Sequence, residues 1–374
     1  MTVTAAFAPM EMRPVEQIPD GPQWQYEPKW DGFRCLAHRD GNDVALTSKN
    51  GQPLARYFPE VVEAVAAVPA NHFSLDGELV VPSAGALSFD ALQQRIHPAA
   101  SRVQRLANET PALLLTFDLL REEGRDCVAL PLRERRPALE RFAEKFGNGA
   151  LRLSPATTDR GVVDSWFARV GGALDGVIAK RLDLPYASGS REAAVKIKKM
   201  RTADCVIGGF RYAGGTNDRV GSLLLGLYDD DAKLDYIGFC SAFAVAERVA
   251  LIERLAPYVG GTGFTGGAPG DEPSRWSRDP EKSRAYIKLV PALVLEVAFD
   301  QVTSGRIRHG TKPLRWRSDK LPAHCTLDQL AVAGNVLQLL DRGTMPLYSE
   351  NSVRRSFSSS LRLKVESGKR KAKK

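Results

Sequence analysis

The sequence predicts an α+β protein of two domains, in which a half of mixed helices and strands precedes a smaller half made mostly of strands. Three observations support this prediction. The chain has 374 residues, which is long for one compact domain and natural for two. Strand-length apolar runs alternate with amphipathic stretches up to about residue 200, and later apolar segments are almost all of strand type. Hydrophobic residues make up 43% of the chain and charged residues 26%, as in ordinary folded proteins.

The N-terminal half, residues 1–200, is predicted to begin with a hairpin and to end with two strands. Apolar stretches at 33–39 and 44–48 flank an Asp-Gly-Asn-Asp turn. The further elements are a helix over 58–68, a strand over 73–82, a short helix after the capping residue Ser88, a strand over 113–120, an amphipathic helix over 130–146, and strands over 174–181 and 193–199.

The C-terminal half, residues 201–330, is predicted to be a small barrel. Strand patterns at 206–212, 222–228, 234–240 and 293–302, with one helix near 244–255, fit a Greek-key barrel of the OB type. The Gly-rich stretch 260–270 lacks the G-x-x-x-x-G-K-[ST] pattern and is interpreted as a mobile loop.

The end of the chain is predicted to differ from both halves. Residues 327–340 predict a short helix that Thr326 caps. Residues 331–374 form a basic C-terminal tail, with a serine run and a Lys/Arg-rich ending, that is expected to be partly disordered.

The positive charge of the chain is concentrated in this tail. The net formal charge is +8, and residues 331–374 carry ten Lys or Arg against three Asp or Glu, a net of +7. The rest of the chain is therefore close to +1, so a nucleic-acid surface must arise from local basic stretches. Two such stretches are present, at 196–201 and at 306–320.

Several classes of protein are excluded by what the sequence lacks. No run of about 18 apolar residues is present, so we expect no membrane-spanning helix. The first residues lack a basic region followed by an apolar core, so we expect no secretory signal. The five cysteines are scattered without a C-x-x-C pair, so free thiols in a reducing cytoplasm are expected and a zinc site is not.

The most informative motif is Glu-Pro-Lys-Trp-Asp-Gly-Phe-Arg at 27–34. A neutral lysine amine can attack the α-phosphorus of a nucleotide when it is held in line near charge-compensating groups, and Lys29 is the candidate. Gly32 permits a turn that can bring Asp31 back towards Lys29. Arg34 supplies a rigid fork of donors for phosphate.

Further motifs follow in a fixed order along the chain. They are Ser-Lys-Asn-Gly at 48–51, Leu-Asp-Gly-Glu-Leu-Val at 75–80, Thr-Phe-Asp-Leu-Leu at 116–120, Leu-Asp-Gly-Val-Ile-Ala-Lys at 174–180, Val-Lys-Ile-Lys at 195–198 and Arg-Trp-Arg-Ser-Asp-Lys at 315–320. From about residue 9 to about residue 330, this series resembles the nucleotidyltransferase motifs of ATP-dependent DNA ligases, and most closely the small bacterial C-type ligases.

The resemblance implies a two-domain nucleotidyltransferase, with an adenylylation domain of antiparallel sheets and helices followed by an all-β OB-fold barrel. It implies that ATP is the substrate, that Mg²⁺ or Mn²⁺ assists, and that Lys29 becomes linked to AMP. The AMP would pass to the 5′-phosphate of a DNA nick, and the 3′-hydroxyl would then displace it. Nicked double-stranded DNA is the implied partner, and the protein is expected to be a monomer.

The resemblance also assigns roles to individual residues. The implied nucleotide-binding residues are Glu27, Lys29, Arg34, Lys49, Glu78, Phe117, Lys196 and Lys198. Among them, Glu78 would hold the ribose hydroxyls, Phe117 would stack on adenine, and Lys196 and Lys198 would contact the α-phosphate. Asp31 and Asp175 would lie near the metal. Arg317, Asp319 and Lys320, on the C-terminal half, would orient the leaving pyrophosphate after the domain closes over ATP.

Three positions depart from the common pattern of the family. Asp175 replaces the more usual Glu, as is typical of the C-type group. Lys49 replaces an Arg, and a point charge replaces a bidentate fork. Ala194 stands where relatives often carry tryptophan or another large residue.

Alternative functions stay open at this stage. An RNA-end ligase or a capping-type guanylyltransferase shares the lysine and most motifs. The stretches at 201–206, 221–228 and 306–310 of the C-terminal half resemble the C-type ligases in particular and argue against both. An NAD-dependent ligase would carry zinc cysteines that this sequence lacks. A non-enzymatic OB-fold nucleic-acid-binding protein is opposed by the intact motif around Lys29. The protein is expected to act in DNA repair and to be cytoplasmic and associated with the bacterial nucleoid, whereas the repair pathway and a primase-polymerase or other repair partner stay open.

Overall fold

The computed structural model describes residues 7–83, 86–168, 174–271, 284–331 and 338–341. The strands are β1 Arg13–Pro14, β2 Trp24–Trp30, β3 Phe33–Asp40, β4 Asp43–Ser48, β5 His72–Val80, β6 Pro82–Ser83, β7 Ala86–Leu87, β8 Leu113–Glu122, β9 Arg125–Asp126, β10 Leu151–Leu153, β11 Leu174–Arg181, β12 Ala194–Lys198, β13 Arg201–Tyr212, β14 Val220–Tyr228, β15 Leu234–Cys240, β16 Ile287–Lys288, β17 Val294–Phe299, β18 Val302–Thr303, β19 Arg306–Ile307 and β20 Lys312–Trp316. The helices are α1 Pro59–Ala66, α2 Phe89–Gln94, α3 Ala100–Glu109, α4 Leu132–Phe146, α5 Arg160–Ala168, α6 Val245–Leu255 and α7 Gln338–Asp341.

The first sheet has the strand order β1-β12-β11-β2, and its residues alternate between an apolar and a charged face. Tyr26 and Trp30 of β2 are buried in an apolar cluster with Val177 of β11. Glu27 and Lys29 occupy the alternate positions of β2 and therefore lie on the opposite face. The period-two pattern thus gives this sheet one side for packing and one side for chemistry.

The second sheet has the order β10-β8-β5-β3-β4, with β9 paired to β8. Its apolar face, which includes Leu75 and Leu114, packs with buried residues of helices α1 and α4. Asp76 and Glu78 alternate with these apolar residues along β5, so they lie on the other face. The charged faces of the two sheets approach one another, because Lys180 of β11 donates to the carbonyl of Phe117 in β8 at 3.2 Å.

The C-terminal half contains a sheet of order β15-β14-β13-β17-β20, with β16 paired to β13. An isolated bridge joins Cys240, at the end of β15, to Thr311, the residue before β20. No continuous strand pairing closes this sheet into a barrel within the part of the chain that the structure describes. The predicted barrel therefore appears as an open sheet, and the content of both halves is mixed helix and strand.

Most predicted elements are present at close to their predicted bounds. The 40–43 turn joins β3 to β4, and the side chain of Ser88 caps α2 by accepting a hydrogen bond from the amide of Ala91. Helices α3 and α5 were not predicted, and neither was strand β2, whose apolar alternation is interrupted by Pro28.

The prediction of one helix over 327–340 is wrong. A single 3₁₀ turn spans Leu327–Leu330, and Ala331 leaves the helical region with ψ of 141°. Thr326 stands at the N-cap, but its side chain does not cap the turn; its hydroxyl donates instead to Asp328. The separate helix α7 follows at Gln338–Asp341, and the predicted tail beyond it lies outside the described residues.

Helix α7 returns to the N-terminal half. Leu339 is buried in the apolar cluster beneath the first sheet, together with Trp30 and Val177, and Leu340 packs at the edge of that cluster. Most of the C-terminal half has its own cluster, which runs from Ala203 to Leu330. The chain after residue 330 is therefore not purely a tail, because part of it completes an N-terminal core.

Candidate active site

The candidate active site lies where the charged faces of the two N-terminal sheets meet. Lys29, which is 21% exposed at the end of β2, pairs with Asp175 of β11, which is 6% exposed. The second carboxylate oxygen of Asp175 accepts a hydrogen bond from Gln301 at 3.2 Å. Lys198 of β12 lies 3.2 Å from the same carboxylate. A buried acid therefore collects two lysines and one amide.

A glycine makes this arrangement possible. Gly176 has a φ of +146°, and a Cβ there would lie 1.9 Å from the carbonyl oxygen of Ile197. The β2–β11 register shifts at this point, between Leu174 and Gly176. The close approach of the backbones sets Asp175 beside Lys29, and any other residue at 176 would push the strands apart.

The turn after Lys29 contains Asp31 and Gly32, and it also requires glycine. A Cβ on Gly32 would lie 2.2 Å from the carbonyl oxygen of Leu79. Asp31 does not fold back onto Lys29 as the sequence suggested. Its carboxylate accepts two hydrogen bonds from Nη1 of Arg308, both at 2.7 Å.

Several lysines surround the site and repel one another. Burial lowers the pKa of Lys196, and the positive charges of Lys29, Lys198 and Lys49 lower it further. Burial also opposes the charge of Lys198, yet Asp175 and Asp300 outweigh burial and raise its pKa. The predicted phosphate ligands thus form a single cationic cluster that suits a polyanion.

Lys49 lies at the rim of this cluster. Its side chain is 56% exposed, and its amine lies 3.1 Å from the carboxylate of Glu11. A surface pair of this kind is weak, so Lys49 can turn to another anion at little cost.

Arg34 is held inside the second sheet. Its guanidinium donates to both carboxylate oxygens of Asp76, and the hydroxyl of Tyr186 donates to the same carboxylate at 2.6 Å. Burial opposes the guanidinium charge, but Asp76 outweighs burial and raises the pKa of Arg34. The guanidinium carbon lies 4.7 Å from the ring centroid of Phe117. The structure thus places Arg34 against Asp76 and Phe117, whereas the sequence predicted that Arg34 contacts a phosphate.

Glu78 and Phe117 lie on this same inner face. Protein atoms crowd the Glu78 carboxylate, and this burial raises its pKa to about 7, although Arg34 and Lys29 oppose the shift. Phe117 is 9% exposed. The pair can offer a hydrogen-bonding carboxyl and an aromatic ring to a nucleoside.

Glu27 lies deeper on the charged face of the first sheet. It is 2% exposed, its Oε1 accepts from the Gln25 amide at 2.9 Å, and its Oε2 lies 2.8 Å from the amine of Lys180. Gln25 and Lys180 were not predicted as site residues. For Gln25 the signal was its spacing, since it lies two positions from Glu27 on one face of β2. Lys180 lies five positions from Asp175, so regular alternation would place the two on opposite faces, and only the register shift between Leu174 and Gly176 brings both to the site.

A segment of the C-terminal half, residues 300–309, covers the site. Asp300 lies 2.9 Å from the amine of Lys198 and 3.0 Å from Nδ1 of His309. Burial opposes ionisation of Asp300, but the hydrogen bonds from Lys198 and His309 outweigh it and lower its pKa. Arg308 is 11% exposed and stacks on Phe89, with 3.4 Å from its guanidinium carbon to the ring centroid.

The three predicted pyrophosphate residues lie elsewhere on the C-terminal half. Arg317 donates to Asp204 at 2.9 Å and to Asp319 at 2.8 Å, and Lys320 lies 3.6 Å from Asp204. The hydrogen bond from Arg317 lowers the pKa of Asp319 to about 2. The contacts found for all three, among the described residues, are to residues of the same half. The structure does not bring them to Lys29.

The described residues show neither a preformed metal site nor a membrane-spanning helix. Within the described residues, no group of three or more His, Cys, Asp or Glu side chains is placed to hold a metal ion. No helix among them is long and apolar enough to cross a membrane.

Comparison with known proteins agrees with these motifs. The family described as "ATP dependent DNA ligase domain" matches residues 10–198, and "ATP dependent DNA ligase C terminal region" matches residues 216–320. DNA ligase C of Mycobacterium tuberculosis (strain ATCC 25618 / H37Rv) is 41% identical over 350 residues, covering 88% of this chain and 95% of that protein. DNA ligase C1 of Mycolicibacterium smegmatis (strain ATCC 700084 / mc(2)155) is 43% identical over 342 residues, covering 88% and 95%.

The solved structures include one of a Lig E DNA ligase. It shares 16% identity with this chain, covers 82% of it and 98% of its own chain, and aligns with a TM-score of 0.51. At this level of identity the likeness concerns the fold alone.

Proposed function

This chain belongs to the ATP-dependent DNA ligases, and from that premise we propose that Lys29 is the residue that carries AMP between ATP and a DNA nick. The observation that carries the proposal is the pairing of Lys29 with buried Asp175 inside a cluster of lysines. A nucleophilic amine needs a group that orients it and cations that stabilise the negative charge on the oxygens of the phosphorus it attacks. Asp175 and the Lys196–Lys198 strand supply both.

In the first step, the neutral amine of Lys29 attacks the α-phosphorus of ATP, a phosphorus–nitrogen bond forms, and pyrophosphate leaves. Lys196 and Lys198 would stabilise the α-phosphate oxygens; this is supported by the strand register, which brings their face of β12 beside Lys29 through β11. Glu78 and Phe117 would hold the ribose and the base. Arg34, which Asp76 fixes, would support Phe117 and reach a phosphate only if that pair opens.

Asp31 and Asp175 would hold a magnesium or manganese ion that enters with the triphosphate. One or two carboxylates are what Mg²⁺ commonly uses when substrate phosphates and waters complete its coordination. The ion would neutralise charge that develops on the phosphate oxygens. Both carboxylates pair with protein cations in this structure, so Arg308 must leave Asp31 before the two Asp31 oxygens can bind a metal ion.

The second and third steps act on DNA. The AMP passes from Lys29 to the 5′-phosphate of a nick, and the 3′-hydroxyl then attacks that phosphate and releases AMP. We propose that the C-terminal half, residues 201–330, is an OB-type domain that turns between steps. During adenylylation, this domain would present Arg317, Asp319 and Lys320 to the site around Lys29. In the arrangement seen here, it presents the 300–309 segment instead.

We further propose that the protein seals nicks during DNA repair as a monomer, near the bacterial nucleoid and with a primase-polymerase or another repair protein as partner. The RNA-end ligase, the capping guanylyltransferase and the non-enzymatic binding protein are not favoured, because the matched families and relatives are DNA ligases.

The test of this function is the intact mass of the protein after exposure to ATP and Mg²⁺, followed by peptide mapping. We expect one AMP per chain on Lys29, and none in Lys29→Ala. The variant should still seal a nick that is chemically adenylylated beforehand, since the last step does not use the amine as nucleophile. Labelled GTP and an RNA nick serve as comparisons. An adduct on another lysine would overturn the assignment.

A further inference from the structure

Lys180 is a buried cation to which no role in the reaction has been assigned above. It lies on β11 with 5% of its side chain exposed. Its amine is 2.8 Å from Oε2 of Glu27 and donates to the carbonyl oxygen of Phe117 at 3.2 Å. The same amine is 4.6 Å from the Phe117 ring centroid. One lysine therefore touches two residues that line the proposed base pocket.

Both oxygens of Glu27 are already oriented by donors. Gln25 donates to Oε1 at 2.9 Å, and Lys180 holds Oε2. The register pairs Gln25 with Lys180 and Glu27 with Ile178 across β2 and β11. Glu27 and Lys29 lie two positions apart on one face, about 7 Å along the strand. A nucleotide whose α-phosphate meets Lys29 can thus extend its base towards Glu27.

The charge state of Glu27 decides what it can recognise. An ionised carboxylate only accepts hydrogen bonds, whereas a protonated one also donates. Adenine presents an amino donor at its 6-position, and guanine presents a carbonyl acceptor there. A buried carboxylate that loses its cation partner is left with an uncompensated charge, and its oxygens are no longer held in one orientation. A neighbouring cation therefore bears directly on which base fits.

We propose that Lys180 is a positioning residue for adenine selection, which holds Glu27 as an oriented acceptor and fixes the backbone of Phe117. This proposal rests on the function proposed above, because it assumes that the base lies against these two residues. Glu27 accepts a hydrogen bond from the 6-amino group of ATP. A nucleotide with a 6-carbonyl is rejected, because that carbonyl and the Glu27 carboxylate are both hydrogen-bond acceptors and would face each other.

The experiment compares ATP with inosine triphosphate, which carries a carbonyl where ATP carries the amino group. The efficiency of AMP or IMP transfer to Lys29 is measured by single-turnover labelling over a range of nucleotide concentrations. Lys180→Met should lower the efficiency with ATP about 10- to 100-fold and affect inosine triphosphate less. The ratio of the two efficiencies should then fall at least about 10-fold.

Two further variants make the result specific. Lys233→Met is the control. The Lys233 side chain is 54% exposed and its amine lies 3.5 Å from the carboxylate of Asp231, so this variant should leave the ratio of the two efficiencies unchanged. In a Glu27→Gln background, adding Lys180→Met should change the ratio less than about 2-fold, because Lys180 acts through Glu27. This double variant removes both charges of the buried pair and so keeps the test open if Lys180→Met alone fails to fold.

Equal losses for both nucleotides in Lys180→Met would show a purely structural role and overturn the proposal. A further change of the ratio in the Glu27→Gln background would also overturn it. A wild-type protein that forms no adduct on Lys29 with ATP would instead refute the proposed function, and so the two failures are distinguishable.

Discussion

Arg308 and Arg317 belong to the same basic stretch of sequence, yet they occupy opposite situations in the fold. Arg308 crosses to the N-terminal half, holds Asp31 with two 2.7 Å hydrogen bonds and is 11% exposed. Arg317 stays on the C-terminal half and pairs with Asp204 and Asp319. Sequence proximity therefore did not indicate which cation meets the site. Strand β20 and the turn that precedes it separate them along the chain.

This difference teaches how one domain can serve two steps. Asp31 and Asp175 are not fully open to a metal ion, nor Lys198 to a phosphate, while Arg308, Gln301 and Asp300 respectively occupy them. The arrangement described here is therefore expected to differ from the one in which Lys29 is adenylylated. Arg317 would replace Arg308 at the site by a turn of the domain.

Replacement of Arg317 should give the largest effect. Arg317→Ala should lower adenylylation by ATP about 10²- to 10³-fold, because a charge that stabilises the leaving pyrophosphate is lost. Sealing of a pre-adenylylated nick should change less than about 3-fold. Single-turnover assays of the two steps measure this. Arg315→Ala, at a 65% exposed neighbour on β20, is the control and should leave both steps intact. Equal losses in both steps would mean that Arg317 binds DNA or supports the fold.

Replacement of Arg308 should give the opposite pattern. Arg308→Ala should lower sealing of a pre-adenylylated nick about 10- to 100-fold, because the pair with Asp31 that holds this arrangement is removed. Adenylylation should not fall, since Asp31 becomes free for the metal ion that enters with the triphosphate. The same two assays apply. A loss of adenylylation as large as that of Arg317→Ala would erase the contrast between the two arginines.

Two carboxylates of the N-terminal half also differ. Asp31 has a cation partner in the C-terminal half, whereas burial raises the pKa of Glu78 to about 7. The folded state then holds the Glu78 proton more tightly than the unfolded state, whose pKa is near 4.5. Stability should therefore fall as pH rises from about 4.5 to 7. Glu78→Gln should remove this loss and gain about 1–3 kcal/mol at pH 8, with little change at pH 4.5. Urea unfolding at the two pH values checks it; equal effects at both would contradict it.

The smallest effects concern the end of the chain. Leu339→Ala should lower the free energy of unfolding of the N-terminal half by about 1–3 kcal/mol, because Leu339 fills a cluster with Trp30. Thermal unfolding with ATP absent measures this. Leu340→Ala, at the edge of the cluster, should cost less.

Removal of 342–374 serves as the companion variant. It should leave adenylylation unchanged while DNA binding weakens and depends less on salt, because fewer counterions are released. A chain ending at 341 that folds but takes up no AMP would show that the last residues belong to the catalytic body.

The sequence predicted the family of the protein better than the contacts within its site. Alternation along the Val-Lys-Ile-Lys strand places Lys196 and Lys198 on one face, and strand pairing through β11 brings that face beside Lys29. Asp31 was predicted beside Lys29 and is held by Arg308 instead. Contacts such as Asp300 with Lys198 join residues about a hundred positions apart, and no local pattern specifies them.

The fold shows the same limit. Strands with clean alternation and helices with a cap, such as α2 after Ser88, were predicted correctly. The continuous helix over 327–340 was wrong, because local apolar spacing could not indicate that Leu339 packs against another part of the chain. The position of Leu339 is set by its tertiary packing against the N-terminal half, not by its local sequence.

The claim that the second domain must turn away before Lys29 reacts can be tested by locking the present arrangement. Asp90 and Ser304 hydrogen-bond across the two halves outside the site, and replacing both with cysteine allows a short bis-maleimide to join them. The five natural cysteines are buried, so wild-type protein treated alike is the control. We predict that the cross-linked variant takes up no AMP on Lys29, whereas the untreated variant does. Adenylylation of the cross-linked protein at the untreated rate would contradict the account.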